Sequence, residues 1–261
     1  PEGWPVVQKF GLTCAMANGT TTIPQGLNRL ENHAAMVPSM IERIGQVAAA
    51  GLPSVIVFSG NRDGMDDELG LEKATLVCHD WGGPIGLRVA TLERPGKFSR
   101  IVAMNTGLFT GYQRMSDDWL HFRDFIASHE DVRIAMPIQG GAGSELSDEV
   151  IAAYEAPFPT VPSKAGVRAF PPMIPMTPDA PGAAEGQATG AYLQTDTRPM
   201  MLFWGDKDLA LPLDPVGRAV QKFFPNAAPL TVLEGGGHFV QEDEGEFIGE
   251  EIVKFIAANP V

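Results

Sequence analysis

The chain has 261 residues, enough for one large domain or two small ones, and at 44% hydrophobic it can bury a sizeable core. Its net charge of −13 argues against nucleic acid or an anionic membrane as a partner and points to an acidic, soluble exterior. The two cysteines, Cys14 and Cys78, fall in two apparent strands and read as buried free thiols, and no metal-ligand cysteine spacing exists. No apolar run reaches membrane-spanning length and no charged-then-apolar leader opens the sequence, so a cytoplasmic location is expected.

In chain order, residues 8–16 read as a strand and 17–27 as a Gly/Thr/Pro loop. Leu30, Ala34, Val37, Ile41, Ile44 and Ala48 recur at spacings of four and three, which makes one apolar helix face. Gly51 ends that helix, and Pro53 keeps it from restarting. Ser54 to Phe58 is a second strand, followed by the turn-rich Ser59-Gly-Asn-Arg-Asp-Gly. The first 58 residues thus predict a strand–helix–strand unit.

Thr75 to Cys78 predicts a buried strand, and Ile85 to Leu92 a helix. Between them lie His79, Asp80, Trp81 and two glycines. That is a very tight strand-to-helix turn with a carboxylate at its apex and Cys78 and Gly82 as the small flanking residues. Ser99 to Met104 is the next strand, and a helical, proline-rich passage fills 112–195. Within it, the Pro/Gly/Ala-rich residues 176–191 are expected as loop. Pro199 to Trp204 and Leu230 to Leu233 are strands, Leu213 to Phe224 a helix, and 242–257 the closing amphipathic helix.

Two resemblances follow from these motifs. Phe10-Gly-Leu-Thr-Cys-Ala-Met, Gly19-Thr-Thr-Thr-Ile-Pro-Gln-Gly and Val57-Phe-Ser-Gly-Asn-Arg-Asp-Gly-Met resemble the hydroxypyruvate isomerases, which are (β/α)₈ barrels. The likeness covers residues 1–69, too few strands to close a barrel. From about residue 70 onward the chain resembles the haloalkane dehalogenases of the α/β-hydrolase superfamily. That likeness rests on His79-Asp-Trp-Gly-Gly, Tyr154-Glu-Ala-Pro-Phe-Pro and Gly235-Gly-Gly-His-Phe-Val-Gln-Glu. The chain therefore looks chimeric. The resemblance implies a mostly parallel α/β sheet, built from 70–111 and 196–261, with a helical cap at 112–195.

Asp80, Asp208 and His238 stand in the order nucleophile, acid, histidine, each just after a strand, as in α/β-hydrolases. A carboxylate at the apex can attack an sp³ carbon and form an alkyl–enzyme ester. The histidine would then activate the water that hydrolyses it. Asp206 reads as a turn residue, and Asn105 occupies the place where some relatives keep the acid, which favours Asp208. The resemblance makes Trp81 the main halide donor. Trp119 is the cap candidate for the second donor, with plain core as its alternative. Asn61, at the end of a strand–Ser-Gly-Asn run, is another candidate. The His-Gly-x-Pro loop that carries one oxyanion N–H in the family is missing.

Hydrolysis of a small halogenated aliphatic substrate, with no cofactor and no metal, is thus the leading expectation. Epoxide hydrolysis is the nearest rival and would need cap tyrosines from among Tyr112, Tyr154 and Tyr192. A catalytically incompetent chimera and a hydroxypyruvate isomerase-like sugar isomerase are the others.

Overall fold

The computed structural model describes residues 72–261 throughout, with residues 17–18, 38, 42 and 55–56 before them. The chain divides after Leu71 into two compact units. In the first, strand β1 (Ala17–Asn18) pairs in parallel with β2 (Val55–Ile56), Ala17 opposite Val55. Val55 and Ile56 fall in the expected second strand, whereas Ala17 and Asn18 fall in the expected loop. Pro38 and Glu42 are helical and exposed, as their places off the predicted apolar face require. The expected strand at residues 8–16 and the likeness to a barrel fragment lie outside the described residues.

The second unit is built on four strands: β3 (Ala74–His79), β4 (Phe98–Met104), β5 (Met200–Gly205) and β6 (Thr231–Leu233). They pair in sequence order, every pair parallel. Strands of such a sheet are covered on both faces and read as unbroken apolar runs, as Ile101 to Met104 and Leu202 to Trp204 do. Alternation then separates two cores. Cys78, Ile101, Ala103, Leu202 and Trp204 face one side. There they pack against Leu87 of helix α1 (Gly82–Arg88). Val102, Met104 and Phe203 face the other, against Val240 and Ile248. Each fully buried side chain of this size contributes about 1.5–3 kcal/mol through lost water contact.

Between β4 and β5 the chain inserts α2 (Asp117–Ser128), α3 (Ala135–Gly141), α4 (Asp148–Glu155), α5 (Ala165–Ala169) and α6 (Ala183–Leu193). Ser116 and Ser147 cap α2 and α4 by accepting from the N–H groups of Trp119 and Val150. Each such cap stabilises by about 1 kcal/mol. After β5 come α7 (Arg218–Gln221), α8 (Val240–Asp243) and α9 (Gly245–Ala258). Among the described residues no helix is long and apolar enough to cross a membrane.

Two expectations need correction. The stretch 176–191 is not all loop, because α6 occupies its second half. A helix whose buried residues are Ala183, Gly186, Thr189, Gly190 and, at its last position, Leu193 carries almost no hydropathy period, so the sequence hides it. Its small residues permit close approach: a Cβ on Gly186 would lie 2.3 Å from the Leu108 carbonyl oxygen. The helix expected at Leu213 to Phe224 is instead a wide turn, Leu213–Gly217, followed by the four residues of α7. Pro215 forces the residue before it out of the helical region, and Asp214 sits at φ −110°, ψ 119°.

The α6 packing predicts a contrast. Gly186→Ala should destabilise by roughly 1–3 kcal/mol, since its new methyl meets backbone that cannot rotate away. Gly249→Ala, in α9 with open space around it, should stabilise by about 0.5–1 kcal/mol. Urea unfolding midpoints of the two variants check this, and an unchanged midpoint for Gly186→Ala would contradict the packing.

Candidate active site

Parallel strands in register end on one edge of the sheet, so the loops after β3, β4, β5 and β6 converge there. Those loops carry Asp80, Asn105, Asp208 and His238. Only Asp80 and Trp81 separate β3 from α1, which forces Asp80 into the left-handed region at φ 46°. That conformation costs a non-glycine residue about 1–3 kcal/mol. Thr106 holds it in place by donating its hydroxyl to the Asp80 carbonyl at 2.5 Å. The Asp80 N–H donates to Asn105 O at 3.2 Å. The strict steric demand falls on Gly83. A Cβ there would stand 1.8 Å from Thr106 Oγ1, whereas one on Gly82 meets only Cys78 Cβ at 3.7 Å.

His238 lies between two carboxylates. Its Nδ1 is 2.8 Å from Asp208 Oδ2 and its Nε2 is 3.5 Å from Asp80 Oδ1. The carboxylates differ in access, for the Asp208 side chain is wholly buried while that of Asp80 is 42% exposed. Asp208 has every lone pair occupied. Asn105 Nδ2 donates to Oδ2 at 2.7 Å, and the Ala210 and Leu211 N–H groups donate to Oδ1 at 2.8 and 2.9 Å. Burial alone would raise both carboxyl pKa values. Hydrogen bonds and the charge of His238 outweigh it and hold both groups below the ordinary range. For Asp80 the backbone N–H of Trp81 adds to this. Burial likewise opposes charge on His238, yet the bonds to Asp208 and Asp80, and their charges, push its pKa up to about 10.

His79 lies against this group. Its Nε2 is 2.7 Å from the His238 carbonyl oxygen, so that ring nitrogen carries the proton and donates. Burial first, and the nearby His238 second, lower its pKa. Asp206 accepts from the Gly235 N–H at 2.7 Å and so fastens the histidine loop rather than the ring. Cys78 is buried, and desolvation pushes its thiol up to about 12.

Asp80 and His238 open into a cavity of about 420 Å³. Its walls are apolar, with Trp81, Trp119, Phe109, Phe170 and Ile174 among them. Trp81 packs on Phe109 and, edge to face, on Phe170, with ring centroids 5.4 and 5.1 Å apart. Trp119 is core and cavity wall at once, packed with Phe109 and Ile174. Trp204 spends its indole N–H on the Leu211 carbonyl. Those of Trp81 and Trp119 have no hydrogen-bond acceptor among the described residues. Asn61 lies outside the described residues.

None of Tyr112, Tyr154 and Tyr192 lines the cavity. Tyr112 is 74% exposed, and Tyr154 donates to Glu242. Among the described residues no group of three or more His, Cys, Asp or Glu side chains is placed to hold a metal ion. Sequence reasoning missed Phe109, Phe170 and Phe239 as cavity walls, since isolated aromatics in loops carry no spacing signal. It also missed His79, although that residue's place beside the apex was visible.

Residues 24–250 match the model of the alpha/beta hydrolase family. The chain belongs to that family. The match starts well inside the stretch that resembles an isomerase. A haloalkane dehalogenase of Psychrobacter cryohalolentis is 38% identical over 197 residues, covering 74% of this chain and 64% of that protein. One of Mycobacterium marinum is 33% identical over 190 residues, with coverages of 72% and 63%. The chain thus spans a little under two thirds of the length of these relatives. Among solved structures, a putative ancestral haloalkane dehalogenase superposes with a TM-score of 0.65 at 23% identity, covering 93% of this chain and 90% of that one. A tetrameric dehalogenase from Paraglaciecola agarilytica gives 0.62 at 23% identity, covering 80% and 63%. These likenesses support the parallel α/β sheet.

The raised pKa of His238 sets a pH dependence for the stability of the fold. The folded chain holds a proton more tightly than the unfolded one, so that contribution is complete below the unfolded value of about 6.5 and is lost as pH rises to about 10. The depressed carboxylates keep their partnership until the pH falls below the usual carboxylate range. Compared with His238→Gln, the wild type should therefore hold its largest advantage, a few kcal/mol at most, near pH 5–6 (roughly one unit below the free imidazole value). Thermal unfolding of both proteins across pH checks this. An advantage that grows from pH 6 to pH 9 would contradict it.

Proposed function

We propose that the chain hydrolyses apolar haloalkanes to an alcohol and halide, in the cytoplasm and without a cofactor, beneath a cap formed by residues 112–195. One observation carries the proposal. A half-open carboxylate, Asp80, faces an apolar cavity whose walls include Trp81 and Trp119, with a histidine–carboxylate pair at its back. The names of the curated relatives support the same reading.

In this reading an Asp80 oxygen attacks the carbon that bears the halogen. The carbon–oxygen bond forms as the carbon–halogen bond breaks, and the halide leaves with the electron pair. Trp81 and Trp119 donate to it through N–H groups that cannot accept. Apolar walls strip water from the nucleophile and let these dipoles act at full strength.

Esterification neutralises Asp80. One of the two charges that held the His238 proton is then gone, and the proton becomes easier to lose. Neutral His238 takes a proton from water, and the hydroxide adds to the ester carbonyl. The backbone N–H of Trp81, which already bonds the Asp80 carboxylate, is one donor to the resulting oxyanion. The second donor belongs, in the resemblance, to a His-Gly-x-Pro loop, and this sequence has no such loop. Collapse of the adduct releases alkoxide, which takes the proton back from His238. The sum is haloalkane plus water giving alcohol, halide and a proton.

The placement of the tyrosines weighs against epoxide hydrolysis, because none of them reaches the cavity to protonate an epoxide oxygen. A foreign origin for residues 1–69 would draw on the compact division after Leu71 and on relatives that match about three quarters of the chain. The family match from residue 24 weighs against that origin, and the mechanism does not depend on it.

Halide release from a bromoalkane, followed with the wild type and three variants, tests the proposal. Asp80→Ala should release none. His238→Gln should release a single equivalent and stop, since only the second step needs the base. Trp81→Phe should slow release on the order of 10²-fold, in line with loss of a preorganised donor. Equal release by wild type and a folded Asp80→Ala would refute the mechanism.

A further inference from the structure

Away from the reacting atoms, one carboxylate has more partners than its position on a short surface helix requires. Asp243, the last residue of α8, accepts four hydrogen bonds. Its Oδ2 takes the N–H groups of Gly143 and Gly237, each at 2.8 Å. Its Oδ1 takes the N–H and the hydroxyl of Ser144, at 2.9 and 2.6 Å. Burial opposes its charge, yet these donors hold its pKa below the ordinary range.

The partners belong to two different segments. Gly143 and Ser144 are the turn that follows α3 in the insertion. Gly237 is the residue before His238. Further contacts fasten the same two segments. The His238 and Phe239 N–H groups both donate to the Gly141 carbonyl, at 2.6 and 3.3 Å. The approach is too close for side chains: a Cβ on Gly143 would lie 1.9 Å from Gly235 O, and one on Gly237 2.3 Å from Gly141 O. Gly140 and Gly141 also line the cavity next to His238. The backbone that aims the imidazole and the backbone that walls the cavity are therefore one hydrogen-bonded piece, with Asp243 at its centre.

We propose that Asp243 is a positioning residue for His238, clamping the glycine turn of the insertion onto the histidine loop so that Nε2 stays aimed at the ester carbonyl. This rests on the two-step hydrolysis proposed above. Asp243 touches neither substrate nor reacting atoms, and its effect runs through the His238 backbone. Its loss therefore slows the step in which His238 acts as base and spares the step in which Asp80 attacks alone. An amide at this position offers one acceptor oxygen and turns an NH₂ group toward N–H donors, so Asp243→Asn breaks the clamp with almost no change of volume.

Rapid-mixing kinetics with a bromoalkane separate the steps: the halide burst reports ester formation, and the later steady rate reports ester hydrolysis. In Asp243→Asn the burst should keep its rate within about threefold, while the steady rate falls on the order of ten- to a hundredfold. Ester should then accumulate on the Asp80 peptide. Ser144→Ala removes one of the four bonds and should shift the same ratio in the same direction, by less. A clamp that serves only the fold would lower the unfolding midpoint and leave the ratio of the two rates at its wild-type value. That ratio in folded Asp243→Asn overturns the proposal, and if Asp243→Asn does not fold, the same ratio in Ser144→Ala overturns it. Failure of the underlying hydrolysis is a distinct result, because it appears as no halide release at all from the unmutated protein.

Discussion

A carboxylate buried without exposed surface is the constraint on which this structure turns. Removing the charge of Asp208 from water costs several kcal/mol unless partners replace the water. The chain supplies four donors from three directions: Asn105 from the end of β4, His238 from the end of β6, and the Ala210 and Leu211 N–H groups from the turn Asp208 itself begins. Each demand fixes a piece of backbone. Asn105 must stand at its strand end, where its Oδ1 also accepts the Gly205 N–H at 3.1 Å. Gly205 must lack a side chain, since a Cβ would lie 2.3 Å from Gly236 O. The polar edge of the sheet is in this sense built outward from one buried charge.

The same charge orders the chemistry. Asp208 fixes which ring nitrogen of His238 faces inward, so Nε2 is left to face Asp80 and the cavity. Asp80 is held there by backbone strain that Thr106 and Asn105 counter. Two carboxylates thus share one imidazole but differ in access, one sealed and one open to an apolar chamber. In the proposed reaction that asymmetry lets Asp80 act on the substrate while Asp208 only steadies the ring.

Much of this was legible in the residues. Asp80, Asp208 and His238 are marked in the sequence because strand ends followed by glycine, aspartate or histidine are distinctive, and the apolar runs before them mark the strands. In the sequence Asn105 marks only a place without an acid, and its role as donor to Asp208 depends on the register of β4 against β5. Other features were hidden for physical reasons. The buried face of α6 is made of Ala, Gly and Thr until Leu193 at its last position, which gives almost no hydropathy contrast. Asp214 and Pro215 broke a run whose period looked helical. Asp243 sat in a stretch of acidic residues that reads as solvated surface, and only folding brings it against Gly143 and Gly237. The cavity wall comes from loop aromatics whose positions depend on tertiary packing alone.

The central claim is that Asp80 becomes covalently bonded to the substrate carbon. A single turnover with excess enzyme in ¹⁸O-labelled water, followed by mass analysis of the Asp80 peptide and of the alcohol, tests it most directly. The account predicts label in the Asp80 carboxylate and ordinary oxygen in the alcohol, because water attacks the ester carbonyl. Label in the alcohol with none in Asp80 would mean that water displaces the halide directly, and would contradict it.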